Sequence, residues 1–189
     1  MPRNPASPPG PAMPERLTQA LTAASALLAL VLSGCKSADE TPLQKAVREA
    51  DKAPKSAEAQ LALGKAYFDA KQYNDAFVAF SAATRLAPGI VEPLYQLARA
   101  DFELRDSDHG LRTARAAVKA DPKHAGAHEI LGRHLLYARQ PAEAVKAFDE
   151  ALALDPRNTS ARLNLSAAYS VLNRPDDALA AAEQAARSD

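Results

Sequence analysis

The sequence predicts an all-α protein built from stacked antiparallel helix pairs, and three observations carry that prediction. The 189-residue chain is 47% apolar but only 5% aromatic, with no Trp. Its Ala, Leu and charged residues outnumber the β-branched types that favour sheets. Pro54, Pro88, Pro122 and Pro156 stand 34 residues apart, as do Leu63, Leu97, Leu131 and Leu165, and Ala83, Ala117, Ala151 and Ala185. Within each period apolar residues recur at helical spacing, for example Leu61, Leu63, Tyr67 and Phe68, then Phe77, Phe80 and Leu86. A period of this size signals a repeat array, in which each unit buries its apolar face only against its neighbours.

The N-terminal segment reads as an address. Arg3 and Arg16 supply a weakly basic start, and Leu17 to Leu32 is apolar with small polar interruptions. Such a run is too short to span a bilayer and suits a cleaved secretory signal. Leu32-Ser33-Gly34-Cys35 follows directly. These four residues resemble the bacterial lipoprotein signal, which implies removal of residues 1–34 and a diacylglycerol on Cys35. Cys35 is the single cysteine, so no intramolecular disulfide is available. The resemblance also implies an envelope location, and Lys36-Ser37 after the cysteine favours the outer membrane, facing the periplasm. Residues 35–42 then form a tether. The seven residues from Lys36 to Pro42 reach about 24 Å when extended.

The repeats follow in order. Leu43 to Asp51 predicts a capping helix within 43–56, aligned with a second helix that lacks its first. Helices are expected near 57–70 and 74–86, 91–104 and 108–120, 125–138 and 141–154, and 159–172 and 175–187. The corresponding repeats are 57–90, 91–124, 125–158 and 159–189. Pro141 and Pro175 stand where second helices begin, a position that tolerates the missing N–H. The final helix has Leu179 as its one large aliphatic residue and ends the array without a further cap.

Leu63-Gly64, Tyr67, Ala76, Phe80 and Pro88 match the tetratricopeptide-repeat pattern, as do Leu131-Gly132, Leu135, Ala144, Phe148 and Pro156. The fourth repeat is weaker, and the second departs most, with Ala98, Asp101, Gly110 and Ala114 at signature columns. The chain thus resembles that family from Ala57 to Asp189. The resemblance implies a right-handed superhelix whose first helices line a concave groove for a protein or peptide segment. The groove columns are Glu58, Leu61, Lys65 and Phe68; Glu92, Tyr95, Arg99, Phe102 and Glu103; and Glu129, Arg133, Leu136 and Tyr137. Lys65, Arg99 and Arg133 form a basic ladder with the 34-residue period, which suits carboxylates, while the flanking rings suit apolar anchors. Leu61, Gln96, Gly126 and Ile130 occupy most columns of the carboxylate clamp of some relatives, which argues against that clamp.

Nothing in the sequence points to catalysis. Gly64-Lys65 lacks the upstream glycine of a phosphate loop, and no GxSxG occurs. His128-Glu129 and His134 fail the zinc-protease pattern, because six residues turn the second imidazole about 120° round a helix. His124 and His128 have suitable spacing but lack an evident third ligand, and the resemblance places His128 at an inter-helix packing column. Asp101 stands where Tyr67, Leu135 and Tyr169 stand in the other repeats; it is expected to reach solvent or pair with Arg105. Lys+Arg and Asp+Glu both number 23, which removes a global basic field for nucleic acid. No cofactor, metal or small-molecule substrate is implied.

The expected function is a non-enzymatic, membrane-anchored scaffold for an acidic protein segment, held in place through its N-terminal lipid. It resembles the repeat lipoproteins of type IV and tight-adherence pilus assembly, where such proteins help secretin subunits assemble. An accessory subunit of a peptidoglycan enzyme and an unprocessed cytosolic adaptor remain as alternatives.

Overall fold

A computed structural model describes residues 40–187. Cys35 and the expected signal segment lie outside the described residues. Nine helices run through the described part: α1 (Pro42–Lys52), α2 (Ala57–Asp69), α3 (Tyr73–Leu86), α4 (Val91–Glu103), α5 (Ser107–Ala120), α6 (Ala125–Tyr137), α7 (Pro141–Leu154), α8 (Thr159–Val171) and α9 (Pro175–Ala186). The eight repeat helices fall within a residue of their expected ends. None of the described helices is long and apolar enough to cross a membrane.

Local chemistry sets the helix ends. Thr41 and Gln44 form a reciprocal capping box at α1. Ser56, Asp106 and Asn158 accept backbone N–H groups at the starts of α2, α5 and α8, and Pro141 and Pro175 open α7 and α9. The turns within repeats share one device that the sequence hides. Lys71, Arg105, Arg139 and Asn173, again 34 apart, all hold φ of 57–59°. Each sits between a helix end and the residue whose N–H reaches back five positions, as Gln72 does to the Tyr67 carbonyl. That is a Schellman ending, and here it is made without glycine, which left-handed backbone normally favours.

Volume is matched between the two helices of a repeat. A Cβ on Gly64 would lie 2.4 Å from the Phe80 ring, and one on Gly132 would lie 2.5 Å from Phe148. Both phenylalanines are fully buried. In the second repeat the same two columns hold Ala98 and Ala114, both fully buried. Gly therefore faces Phe, and Ala faces Ala.

The junction between the second and third repeats uses a different exchange. Ala76 and Ala100 share one core cluster, and Ala144 and Ala168 share another. At the corresponding columns Gly110 meets His134, and a Cβ on Gly110 would lie 2.0 Å from the His134 ring. The imidazole occupies the space that glycine vacates.

The first helices of successive repeats touch: α2 meets α4, α4 meets α6, and α6 meets α8. Among the described residues the second helices meet only their sequence neighbours. Packing that closes on one side alone bends a stack toward that side, so α2, α4, α6 and α8 form the inner face.

Candidate functional site

The ladder residues project from one column of the inner face, and each reaches across to an adjacent repeat. Lys65 Nζ on α2 lies 2.6 Å from Glu92 Oε1 on α4. Glu92 also accepts a hydrogen bond from Gln96 Nε2 at 3.0 Å, and Gln96 Oε1 accepts one from Arg99 Nη1 at 2.9 Å. Burial raises the Glu92 pKa, but the hydrogen bonds from Lys65 and Gln96 outweigh it and leave the carboxyl below its ordinary value. The Arg99 guanidinium lies 4.5 Å over the Phe68 ring of α2 and 5.7 Å from the Tyr95 centroid. Arg133 repeats the motif one period on, 3.9 Å over Phe102 and 3.8 Å from Glu103 Oε1. Cation–π contact of this kind fixes the guanidinium plane and leaves its edge to bond outward.

This geometry corrects two features of the expected groove. The ladder is not three free cations, because carboxylates of α4 pair with Lys65 and Arg133. Arg99 has no carboxylate within ion-pair distance among the described residues; its bond is to Gln96. The phenylalanine rings are not open anchor sites either, since Phe68 and Phe102 serve as platforms for Arg99 and Arg133. Sequence columns place residues on a face but do not pair them. Lys65 and Glu92 are 27 positions apart, a spacing that becomes meaningful only once α2 docks on α4.

An open hollow of about 300 Å³ lies between the second, third and fourth repeats, lined by Tyr95, Arg99, Glu129, Ile130, Arg133 and Ser160. Ser160 Oγ donates to Glu129 Oε1 at 2.7 Å, which orients that carboxylate. Ser160 escaped the sequence reading, although it shares a column with Glu58 and Glu92. Glu58 and Leu61 lie elsewhere, on a smaller apolar hollow of about 200 Å³ with Ile90 and Pro93. Leu136 packs against the core of the last two repeats, while Tyr137 is 46% exposed beside Phe102.

The histidines and Asp101 have structural partners. His124 Nδ1 accepts the Ala127 N–H and caps α6, and its ring lies 4.9 Å from Tyr95. His128, at the column the resemblance assigns to inter-helix packing, is half-buried, and its Nε2 bonds the Pro122 carbonyl at 2.9 Å. The expectation for Asp101 is also overturned. Its side chain is fully buried, and its Oδ2 lies 2.8 Å from His109 Nδ1 rather than near Arg105 or solvent. Burial pushes the Asp101 carboxyl up to about 6, against the opposing pull of His109. His134 donates from Nε2 to the Ala98 carbonyl at 2.9 Å, and burial lowers its pKa, so the ring is neutral and Nδ1 is bare. Among the described residues no cluster of three or more His, Cys, Asp or Glu side chains is arranged to hold a metal.

A tetratricopeptide-repeat profile matches residues 43–89, 95–136 and 131–189. The chain belongs to the tetratricopeptide-repeat family. Part of it, 119 residues, is 31% identical to small glutamine-rich tetratricopeptide repeat-containing protein 2 of Mycosarcoma maydis, covering 62% of this chain. The chain spans about a third of the length of that curated relative, 33%. Among solved structures, MamA of Desulfovibrio magneticus RS-1, from residue 41 to its end, superposes with a TM-score of 0.70 at 18% identity, covering 94% of this chain and 97% of that one. A further MamA crystal structure gives 0.68 at 21% identity, covering 77% and 85%. YrrB, a tetratricopeptide-repeat protein with an unusual peptide-binding site, gives 0.65 at 18% identity, covering 92% and 84%. These likenesses establish the superhelical tetratricopeptide fold.

Proposed function

We propose that this tetratricopeptide protein is a non-enzymatic scaffold that holds a protein segment on its inner face, tethered to the membrane through Cys35. The observation that carries the reading is the stacked arrangement of Arg99 on Phe68 and Arg133 on Phe102, which presents fixed guanidinium edges beside an open hollow. Prestacked side chains lose little entropy when a partner binds, which favours recognition over a purely solvated charge pattern. YrrB supports the reading as a relative in fold with a peptide-binding site. The apolar run ending in Leu32-Ser33-Gly34-Cys35 supports lipid anchoring in a bacterial envelope. With that anchor the scaffold serves envelope complex assembly, such as pilus or secretin biogenesis.

Two measurements test the two halves. Cys35→Ala is expected to abolish labelling by a palmitate analogue and to leave a heavier, unprocessed chain; equal mass and equal detergent partitioning for both proteins would remove the anchor. Replacing Lys65, Arg99 and Arg133 together with Gln is expected to weaken binding of an acidic synthetic peptide and to flatten its salt dependence, since exposed charge pairs are screened by salt. Helical content should hardly change, because pairs this exposed contribute little to stability. Full affinity of the triple variant at low salt would place the interaction on another surface.

A further inference from the structure

Resting on the groove reading above, we propose that Arg99 is the specificity-determining residue of the inner face, and that the hollow takes a segment bearing one acidic side chain next to a hydrogen-bond donor, rather than a polyacidic tract.

Charge pairing differs from rung to rung along the ladder. At the first rung Glu92 already satisfies Lys65 at 2.6 Å, and Gln96 braces the same carboxylate. At the third rung Glu103 stands 3.8 Å from Arg133. An incoming carboxylate at the first rung has to displace an internal one, and at the third it meets repulsion from Glu103, so both rungs offer less net attraction than the second. At the second rung the Gln96 amide oxygen is a neutral acceptor, and it occupies Nη1 alone. A guanidinium carries five N–H donors in a rigid fork, so Arg99 retains donors for a carboxylate. Its plane is already set by Phe68 and Tyr95.

The opposite charge in the hollow supplies the second half. Glu129 accepts from Ser160 Oγ at 2.7 Å and has no cation within ion-pair distance among the described residues. A carboxylate has about four acceptor positions, so most of its capacity is open. Arg99 and Glu129 line the same hollow of about 300 Å³, with Tyr95 on its wall. A polyacidic segment meets repulsion from Glu129, whereas an acid followed closely by a Lys, Arg or amide side chain satisfies both.

The test uses full-length protein in detergent and 12-residue synthetic peptides selected on it from a random display library. Selected peptides should carry one acid with a basic or amide residue near it. Changing the peptide acid to its amide should cost about tenfold or more in affinity on the native protein, the range for a hydrogen bond to a charged group, and almost nothing on Arg99→Gln. Lys65→Gln and Arg133→Gln should each cost less than about threefold, as rungs whose charge an internal carboxylate already offsets. Arg99→Lys, which keeps the charge but loses the fork, should fall between. Coupling of the peptide acid to Lys65 or Arg133, or equal affinity of acid-free peptides that still lose binding in Tyr95→Ala, overturns this inference and leaves the groove reading standing. Failure to select any peptide, or peptides indifferent to both Tyr95→Ala and Glu129→Gln, overturns the two together.

Discussion

Phe148→Ala is expected to destabilise the protein by about 3–5 kcal/mol, the usual cost of emptying a phenylalanine-sized site in a packed core. The ring is fully buried in the core cluster that joins the last two repeats, and it lies directly over Gly132. Gly132→Ala is expected to destabilise on its own as well, because its Cβ would lie 2.5 Å from the ring and over-packing typically costs about 1–3 kcal/mol. In the Phe148→Ala background the sign reverses. The added methyl then enters vacated space, and replacing a helical glycine by alanine gains about 1 kcal/mol of propensity. The double variant recreates the Ala98 and Ala114 pairing that the second repeat already uses. Urea unfolding of the two single variants and the double variant forms a complete cycle. Additive losses in the double variant would remove the volume-matching account.

The period was legible because a constant offset in sequence becomes a straight column in space. Four prolines, four leucines and four alanines at one spacing mark out the helix pairs, and the resemblance to the tetratricopeptide family implies the groove columns. Pairing between columns was not legible. Glu92 and Glu103 were visible as groove residues, but that they pair with Lys65 and Arg133 depends on how α2, α4 and α6 dock. The left-handed turn residues also left no trace, since Lys71, Arg105 and Arg139 are not types that favour such backbone; Asn173 is the exception. The second repeat shows the same limit. Within its own column, beside Tyr67, Leu135 and Tyr169, Asp101 looks like a degenerate position. The neighbouring column holds Asp75, His109, Glu143 and Asp177, so the second repeat exchanges an acid for a base there as well. Two departures that compensate each other mark a packed pair, a signal that the two columns carry together and neither carries alone.

That exchange leads to the second large effect: Asp101→Leu is expected to stabilise the protein at neutral pH, although it deletes a hydrogen-bonded carboxylate. Asp101 is fully buried; its Oδ2 meets His109, while its Oδ1 has no hydrogen-bond partner. Burial is the largest influence on its pKa and raises it from 3.8 to about 6; Asp106 adds to the rise, and His109 and Thr113 oppose it. A folded-state value above the unfolded one means that the native chain binds the proton more tightly. Stability from this group is therefore complete below about pH 4 and is lost as pH rises through about 6, a difference on the order of 3 kcal/mol. Leucine carries no such penalty, and Leu135 already occupies the same column in the third repeat, buried in the core. His109, whose side chain is 36% exposed, can exchange its lost partner for water. Removing one partner of an ion pair is costly where the other is left buried and charged, but His109 reaches solvent, so the gain from deleting the buried carboxylate is not cancelled. Thermal melting of both proteins across pH 4 to 8 should show the variant ahead at pH 7.5, with the gap closing as the pH falls toward about 4. A variant less stable than the native protein at pH 7.5, or a gap that does not change with pH, would show that His109 fully compensates the buried carboxylate.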